Sequence, residues 1–174
     1  LHGKVFRSTR ASARIKSLNT SAARSLRGVV AVLTYEDIPN NRAVTGSVGQ
    51  VADIGLVQTV GQLVLAEDKV RFYGEPIALV AAEETDIAKE ALKLIDIDYE
   101  DVPGVFDPEE AMKDDAPKVQ GNSNVIAHWK LRQGDVEKAF DKADVIIENT
   151  YQTQFQEHAH LEPEAGVAWI DDDG

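Results

Sequence analysis

A chain of 174 residues with 43% apolar and 28% charged side chains can bury a real core, so wholesale disorder is excluded. Its 18 basic and 30 acidic residues give a net charge of −12, which excludes a general nucleic-acid or anionic-membrane binder, since neutralising phosphates needs a positive field. The absence of cysteine excludes disulfides, thiolate-bound zinc or iron–sulfur clusters, and thiol catalysis.

The charge is unevenly placed. No acid occurs from Leu1 to Tyr35, where Lys4, Arg7, Arg10, Arg14, Lys16, Arg24 and Arg27 all lie. This basic segment suits an acidic surface within the same protein or on a partner, and less well an anionic ligand. LHGKVFRSTR has charges without an apolar region behind them, unlike a signal peptide, and no apolar run approaches the ~20 residues of a membrane helix. The alternation Arg14-Ile15-Lys16 predicts an edge strand, where charge blocks unwanted pairing. Asn19, Thr20 and Ser21 offer caps for two helical turns over SAARSLR, with Gly28 as the stop, and the strand VVAVL follows. Thr34 to Ile38 predicts a short capped turn ended by Pro39, and the glycine-bearing stretch from Asn40 to Gly61 reads as a loop. That loop has neither GxGxxG spacing nor a Walker lysine, so a nucleotide fold is unsupported.

From Glu75 to Val102 the pattern predicts a β-α-β unit. Ile77 to Ala82 is a continuous apolar run, as in a strand covered on both faces. Thr85 can cap a helix over Asp86 to Leu94, in which Ile87, Ala88, Ala91 and Leu92 share one face. Ile95-Asp96-Ile97-Asp98-Tyr99 then alternates as a half-exposed strand does. The prolines and glycines after Asp101 predict an extended surface crossing as far as Ala127. Beyond it, Gly134-Asp135 caps a helix over Val136 to Lys142, and Ala143 to Gln156 reads as a long strand. The missing initiator methionine, and the run of GVAWI into the terminal acids, predict a piece of something longer.

QFQEHAHLEPE, residues 154 to 164, is the one concentration of chemistry-bearing groups. On a strand His158 and His160 point the same way and could chelate a metal with Glu157, Glu162 or Glu164. Solvent-facing polar residues at a strand end explain the stretch more simply than a free-standing metal site. Glu75, between Gly74 and Pro76, has no base, metal or oxyanion partner beside it in sequence and reads as a turn residue. Ser8 and Ser12 lie in no nucleophile elbow.

Taken together, LHGKVFRS, ARIKSLNTSAARSLRGVVAVLTYEDIP, VRFYGEPIALVAAEETDIAKEALKLIDIDYEDVPGVFDPEEAM and GDVEKAFDKADVIIENTYQTQFQEHAHLEPEAGVAWI resemble the start of the molybdopterin-binding large subunit of xanthine dehydrogenase and aldehyde oxidase-type hydroxylases. The resemblance implies an α+β fold: an a/b hammerhead-type domain with mixed sheet and short helices over 1–112, a linker over 113–128, and the first helix and strand of a truncated molybdopterin-binding domain over 129–174. It places the Q-E-H-x-x-L/M-E motif at Gln156, Glu157, His158, Leu161 and Glu162, with Gln156 approaching a metal oxo ligand as the cofactor-binding residue. On that reading the histidines orient or pack against backbone, and the chain holds no catalytic residue and no metal ligand. The family's catalytic glutamate belongs to a different segment, and Glu75 matches its motif only superficially. One departure stands out: Arg7-Ser8 is followed by Thr9-Arg10, where the family often has proline and histidine.

The implied parent is a cytoplasmic enzyme that oxidises a small heteroaromatic, purine or aldehyde substrate with water as oxygen source. Molybdopterin would be its cofactor, with FAD and iron–sulfur clusters in partner subunits or domains. None of these is expected on the isolated chain, which should be inactive and whose main partner would be the remaining cofactor domain of its subunit. The alternative is a structural or docking module for that subunit or an iron–sulfur partner.

Overall fold

The computed structural model describes residues 1–44, 61–119, 121–125, 128, 130–159, 161 and 165–171. The chain divides into two compact units, Leu1–Trp129 and Lys130–Gly174.

The first unit is α+β and antiparallel throughout its described strands. β1 (His2–Arg7), β7 (Pro76–Ala82) and β3 (Val29–Leu33) form one sheet in the order β1-β7-β3. β6 (Lys69–Val70), β2 (Ala13–Asn19) and β8 (Asp96–Asp101) form a second, in the order β6-β2-β8. β4 (Arg42–Val44) and β5 (Gly61–Leu63) make a short ribbon, so the expected loop carries paired strands at both ends. Gly46, Gly49 and Gly55 lie outside the described residues.

β7 is the centre of the molecule for the reason its sequence suggests. Flanked on both sides, it buries Ile77, Ala78, Val80 and Ala82. α2 (Thr85–Lys93) lays Ala88 and Ala91 against it, with Ile87 and Leu92 at the margin, which is the expected apolar face. Thr85 is not the cap, however. It is already helical, Glu84 precedes it, and its hydroxyl lies 3.0 Å from His2 Nδ1 on β1. The β-α-β expectation is also corrected: β7 and β8 enter different sheets, and α2, which links them along the chain, packs on the first. β2 is corrected as well, being the middle strand of its sheet, with Arg14 opposite Glu100 on one side and Lys69 on the other.

α1 (Ser21–Arg24) is one turn long where two were expected. It stops early, and Gly28 then turns the chain into β3 with φ +88°. The turn Tyr35–Asp37 is capped as expected: Asp37 Oδ2 accepts from the Thr34 N–H at 2.8 Å and from its hydroxyl at 3.2 Å. A second cluster of buried side chains, Ala13, Ala66, Val70 and Ile77, packs between the sheets with Phe6, Leu18 and Tyr99 beside it.

The crossing after β8 is more structured than its composition predicts. α3 (Pro108–Ala111) is capped by Asp107 Oδ1, which accepts from the N–H groups of Glu109 and Glu110, each at 2.9 Å. Asn124 then ties the segment together. Its amide donates to the carbonyls of Ala111 and Pro117, and its Oδ1 accepts from Val119 N–H.

The second unit contains α4 (Val136–Asp141), capped by Asp135 as expected. The long strand expected from Ala143 to Gln156 is not formed. Every described residue from 130 to 171 is exposed, so this unit has no buried core among its described residues.

Candidate functional site

Gln156, between Phe155 and Glu157, lies outside helix and strand and is exposed. Its neighbour Glu157 turns back on itself: Oε1 accepts from the His158 N–H at 3.0 Å and stands 3.5 Å from the Ala159 nitrogen. Ala159 has φ +50°, a left-handed conformation that costs a residue with a Cβ roughly 1–2 kcal/mol. That conformation is incompatible with a strand at Ala159. His158 and Ala159 are in no strand, the geometry on which the two-histidine reading depends. His160, Glu162, Pro163 and Glu164 lie outside the described residues. Among the described residues no three His, Asp or Glu side chains come together as a metal site.

At the head of α4 the Lys138 ammonium, 2.8 Å from Asp135, holds that carboxyl below the usual aspartate range, and the Lys138 N–H adds to the effect. The pairing is exposed and serves the helix start.

In the first unit, Glu75 and Ser8 are engaged with neighbouring backbone. Glu75 is 4% exposed; it accepts the backbone N–H of Arg71 and lies 3.5 Å from the Arg71 guanidinium. Its own carbonyl accepts from the Ser8 N–H at 2.9 Å, and the Ser8 hydroxyl is occupied by the carbonyl and N–H of Arg10. Sequence reasoning missed the burial of Glu75 and Ser8, which no local pattern signals. Among the basic side chains offered as a docking surface, Arg7 and Arg10 are partnered within their own unit. Arg7 donates to the Gly74 carbonyl at 2.9 Å, and Arg10 faces Asp101 at 3.6 Å.

A polar cleft of about 260 Å³ opens beside β2, lined by Lys16, Thr20, Arg24, Tyr35, Glu36 and Glu67 among others. Glu36 beside it raises the Tyr35 phenol above its usual value, with burial and Glu67 acting in the same direction. Two bases and two carboxylates share this cleft, so it selects no single sign of charge.

Residues 1–103 match the a/b hammerhead domain of aldehyde oxidase and xanthine dehydrogenase. The chain belongs to that family. Residues 118–174 match the molybdopterin cofactor-binding domain. Among curated relatives, the chain is 40% identical over 174 residues to the nicotinate dehydrogenase large molybdopterin subunit of Eubacterium barkeri, covering all of this chain and 38% of the relative. It is 38% identical to a probable xanthine dehydrogenase subunit of Bacillus subtilis, covering all of this chain and 22% of that protein. Among solved structures, the aldehyde oxidoreductase from Desulfovibrio gigas superposes with a TM-score of 0.63 at 26% identity, over 83% of this chain and 16% of its own. The chain thus spans well under half the length of these relatives of the molybdenum hydroxylase family. No helix of the described residues is long and apolar enough to cross a membrane.

Proposed function

We propose that this chain is a section of a molybdenum-cofactor subunit whose intact form hydroxylates a small heteroaromatic, purine or aldehyde with oxygen from water. The observation that carries the reading is the similarity of the whole chain, at 40% identity, to a large molybdopterin subunit. In this reading residues 1–112 are the hammerhead domain, 113–128 the linker, and 129–174 one part of the cofactor domain. Electrons leave for iron–sulfur and flavin partners, the enzyme works in the cytoplasm, and the 174-residue stretch alone is silent.

Gln156 is the residue of this chain assigned to the cofactor. The fit rests on its chemistry and its neighbourhood. A neutral amide offers two N–H donors and carries no charge to repel an oxygen ligand. Gln156 is exposed, while the adjacent Glu157 is turned onto its own backbone. When bound, the cofactor supplies the oxygen-transfer and electron-accepting chemistry. Gln156 contributes a hydrogen bond that holds one oxygen in place, a role whose loss typically costs about 10–100-fold.

The test uses the intact protein expressed from its gene. Molybdenum content, and incorporation of ¹⁸O from labelled water into hydroxylated product, are measured for the wild type and for Gln156→Ala. The expected result is stoichiometric molybdenum in both, with turnover reduced about 10–100-fold in the variant. An intact protein that purifies without molybdenum under conditions that load other molybdenum enzymes would overturn the assignment.

A further inference from the structure

In the polar cleft beside β2, opposite charges share one space without neutralising one another. Lys16 and Arg24 line it together with Glu36 and Glu67, around a volume of about 260 Å³. Among the described residues neither base forms an ion pair with either of these carboxylates, and Arg24 pairs with Asp37 instead, at 3.4 Å.

Several of the lining groups are held in place by other side chains. Arg24 Nε donates to Thr20 Oγ1 at 3.0 Å, and the Tyr35 hydroxyl donates to Glu36 Oε1 at 3.3 Å. Glu67 is fixed by Asn41, which is only 9% exposed. The Asn41 side chain closes the end of the β4–β5 ribbon, accepting the Leu65 N–H at 2.9 Å and donating to the Leu65 carbonyl at 2.8 Å. Its amide also donates to Glu67 Oε1, at 3.0 Å. An amide nitrogen carries two N–H groups, and the ribbon uses one of them. The other therefore holds a carboxylate in the lining of the cleft.

We propose that this cleft binds a small zwitterion, a molecule with an ammonium and a carboxylate on one short chain. Glu36 and Glu67 take the ammonium, and Lys16 and Arg24 take the carboxylate. A cation alone would be repelled by the two bases and an anion alone by the two carboxylates, whereas a zwitterion answers both signs. The volume lies just below the range of about 300–1,000 Å³ usual for drug-sized ligands, which restricts the occupant to a small one. Side chains already held in position lose less freedom when the ligand arrives. All four ionic residues are exposed, which keeps the affinity low, with a Kd of about 1 mM. None of these residues belongs to the stretch 154–164, so binding here and the cofactor reading stand or fall separately.

Saturation-transfer NMR and calorimetry on the intact protein test this with glycine, β-alanine, γ-aminobutyrate and ε-aminocaproate, whose charges are progressively further apart. Propanoate and propylammonium serve as single-charge probes. At least one zwitterion of the series should bind with a Kd of about 1 mM, at least about 5-fold more tightly than either single-charge probe. Glu67→Gln keeps an acceptor for Asn41 while removing the charge, and should weaken that binding by about 5-fold or more. Lys16→Gln changes an exposed side chain of β2 and should do the same, so the test stands even if the Glu67 variant does not fold. No saturation transfer to any zwitterion at about 20 mM would overturn the proposal. So would a single-charge probe that binds as tightly, or an affinity unchanged in either folded variant, which would place the zwitterion elsewhere on the protein.

Discussion

The carboxylate of Glu75 grips Arg71 twice, accepting its backbone N–H and standing 3.5 Å from its guanidinium. The grip closes the loop between β6 and β7 and presents β7 to its neighbours, with the Glu75 carbonyl bonded to Ser8 after β1. Glu75→Ala leaves the Arg71 backbone N–H without its partner and the guanidinium, 22% exposed, with only the Lys69 carbonyl and Asp68, at a cost of about 1–3 kcal/mol. Glu75→Gln keeps an acceptor and should cost less. Urea denaturation midpoints of the two variants check the order; equal midpoints would show that the loop holds without the carboxylate.

Gly28 meets α2 at close range. A Cβ at this position would lie 2.6 Å from Ile87 Cδ1, and its φ of +88° is costly for any residue with a Cβ. Gly28→Ala should therefore destabilise by about 1–2 kcal/mol. Adding Ile87→Val removes the colliding methyl and should recover part of the loss, leaving the backbone strain. Thermal melting of the single and double variants separates the two contributions.

The Tyr99 hydroxyl is buried with no partner among the described residues. Its ring belongs beside Ala13, Val70 and Ile77, so the ring is wanted there and the oxygen is not. Tyr99→Phe should leave stability unchanged or raise it by about 1 kcal/mol, since it removes an unsatisfied polar atom. A clear loss on denaturation would mean that the hydroxyl has a water or a partner in solution.

The Thr34 N–H, donating to Asp37, holds that carboxyl below the usual aspartate range, with the Thr34 hydroxyl and Arg24 acting in the same direction. A depressed folded value contributes stability above the unfolded pKa of about 3.9, and that contribution is lost as pH falls through the lowered folded value. Asp37→Asn should accordingly flatten the acid limb of the stability-versus-pH curve below about pH 4 and change its shape little at neutral pH. Parallel curves for wild type and variant across that window would refute the linkage.

Much of the fold was legible because it is written locally. IALVAA declares a strand covered on both faces, and the spacing of Ala88 and Ala91 declares which side of α2 is buried. What escaped was neighbour choice. A strand, a nine-residue helix and another strand read the same whether the strands lie parallel in one sheet or enter two sheets, and only long-range pairing with β1, β2 and β3 decides between them. Arg14 and Lys16 looked like the charges of an edge because nothing near them in sequence shows Glu100 opposite Arg14. The burial of Glu75 escaped for the same reason, its surroundings coming from residues far away along the chain. For the candidate site, the family motif is what points to Gln156, and the stretch from Ala143 to Gln156 read as a strand. The strand itself was not obtainable from these residues, since a ladder needs a second backbone.

The order β1-β7-β3 has a consequence for synthesis on the ribosome. Of the described strands β1 is made first, but its one partner among them, β7, ends 75 residues after β1 does. At translation rates of ~5–20 residues per second, the first strand waits roughly 4–15 s for its neighbour. β2 waits similarly for β8. The acid-free opening segment therefore spends that interval as a nascent chain whose lysine and arginine side chains keep it hydrated and apart from other chains, before the same residues take up their places beside Gly74 and Asp101.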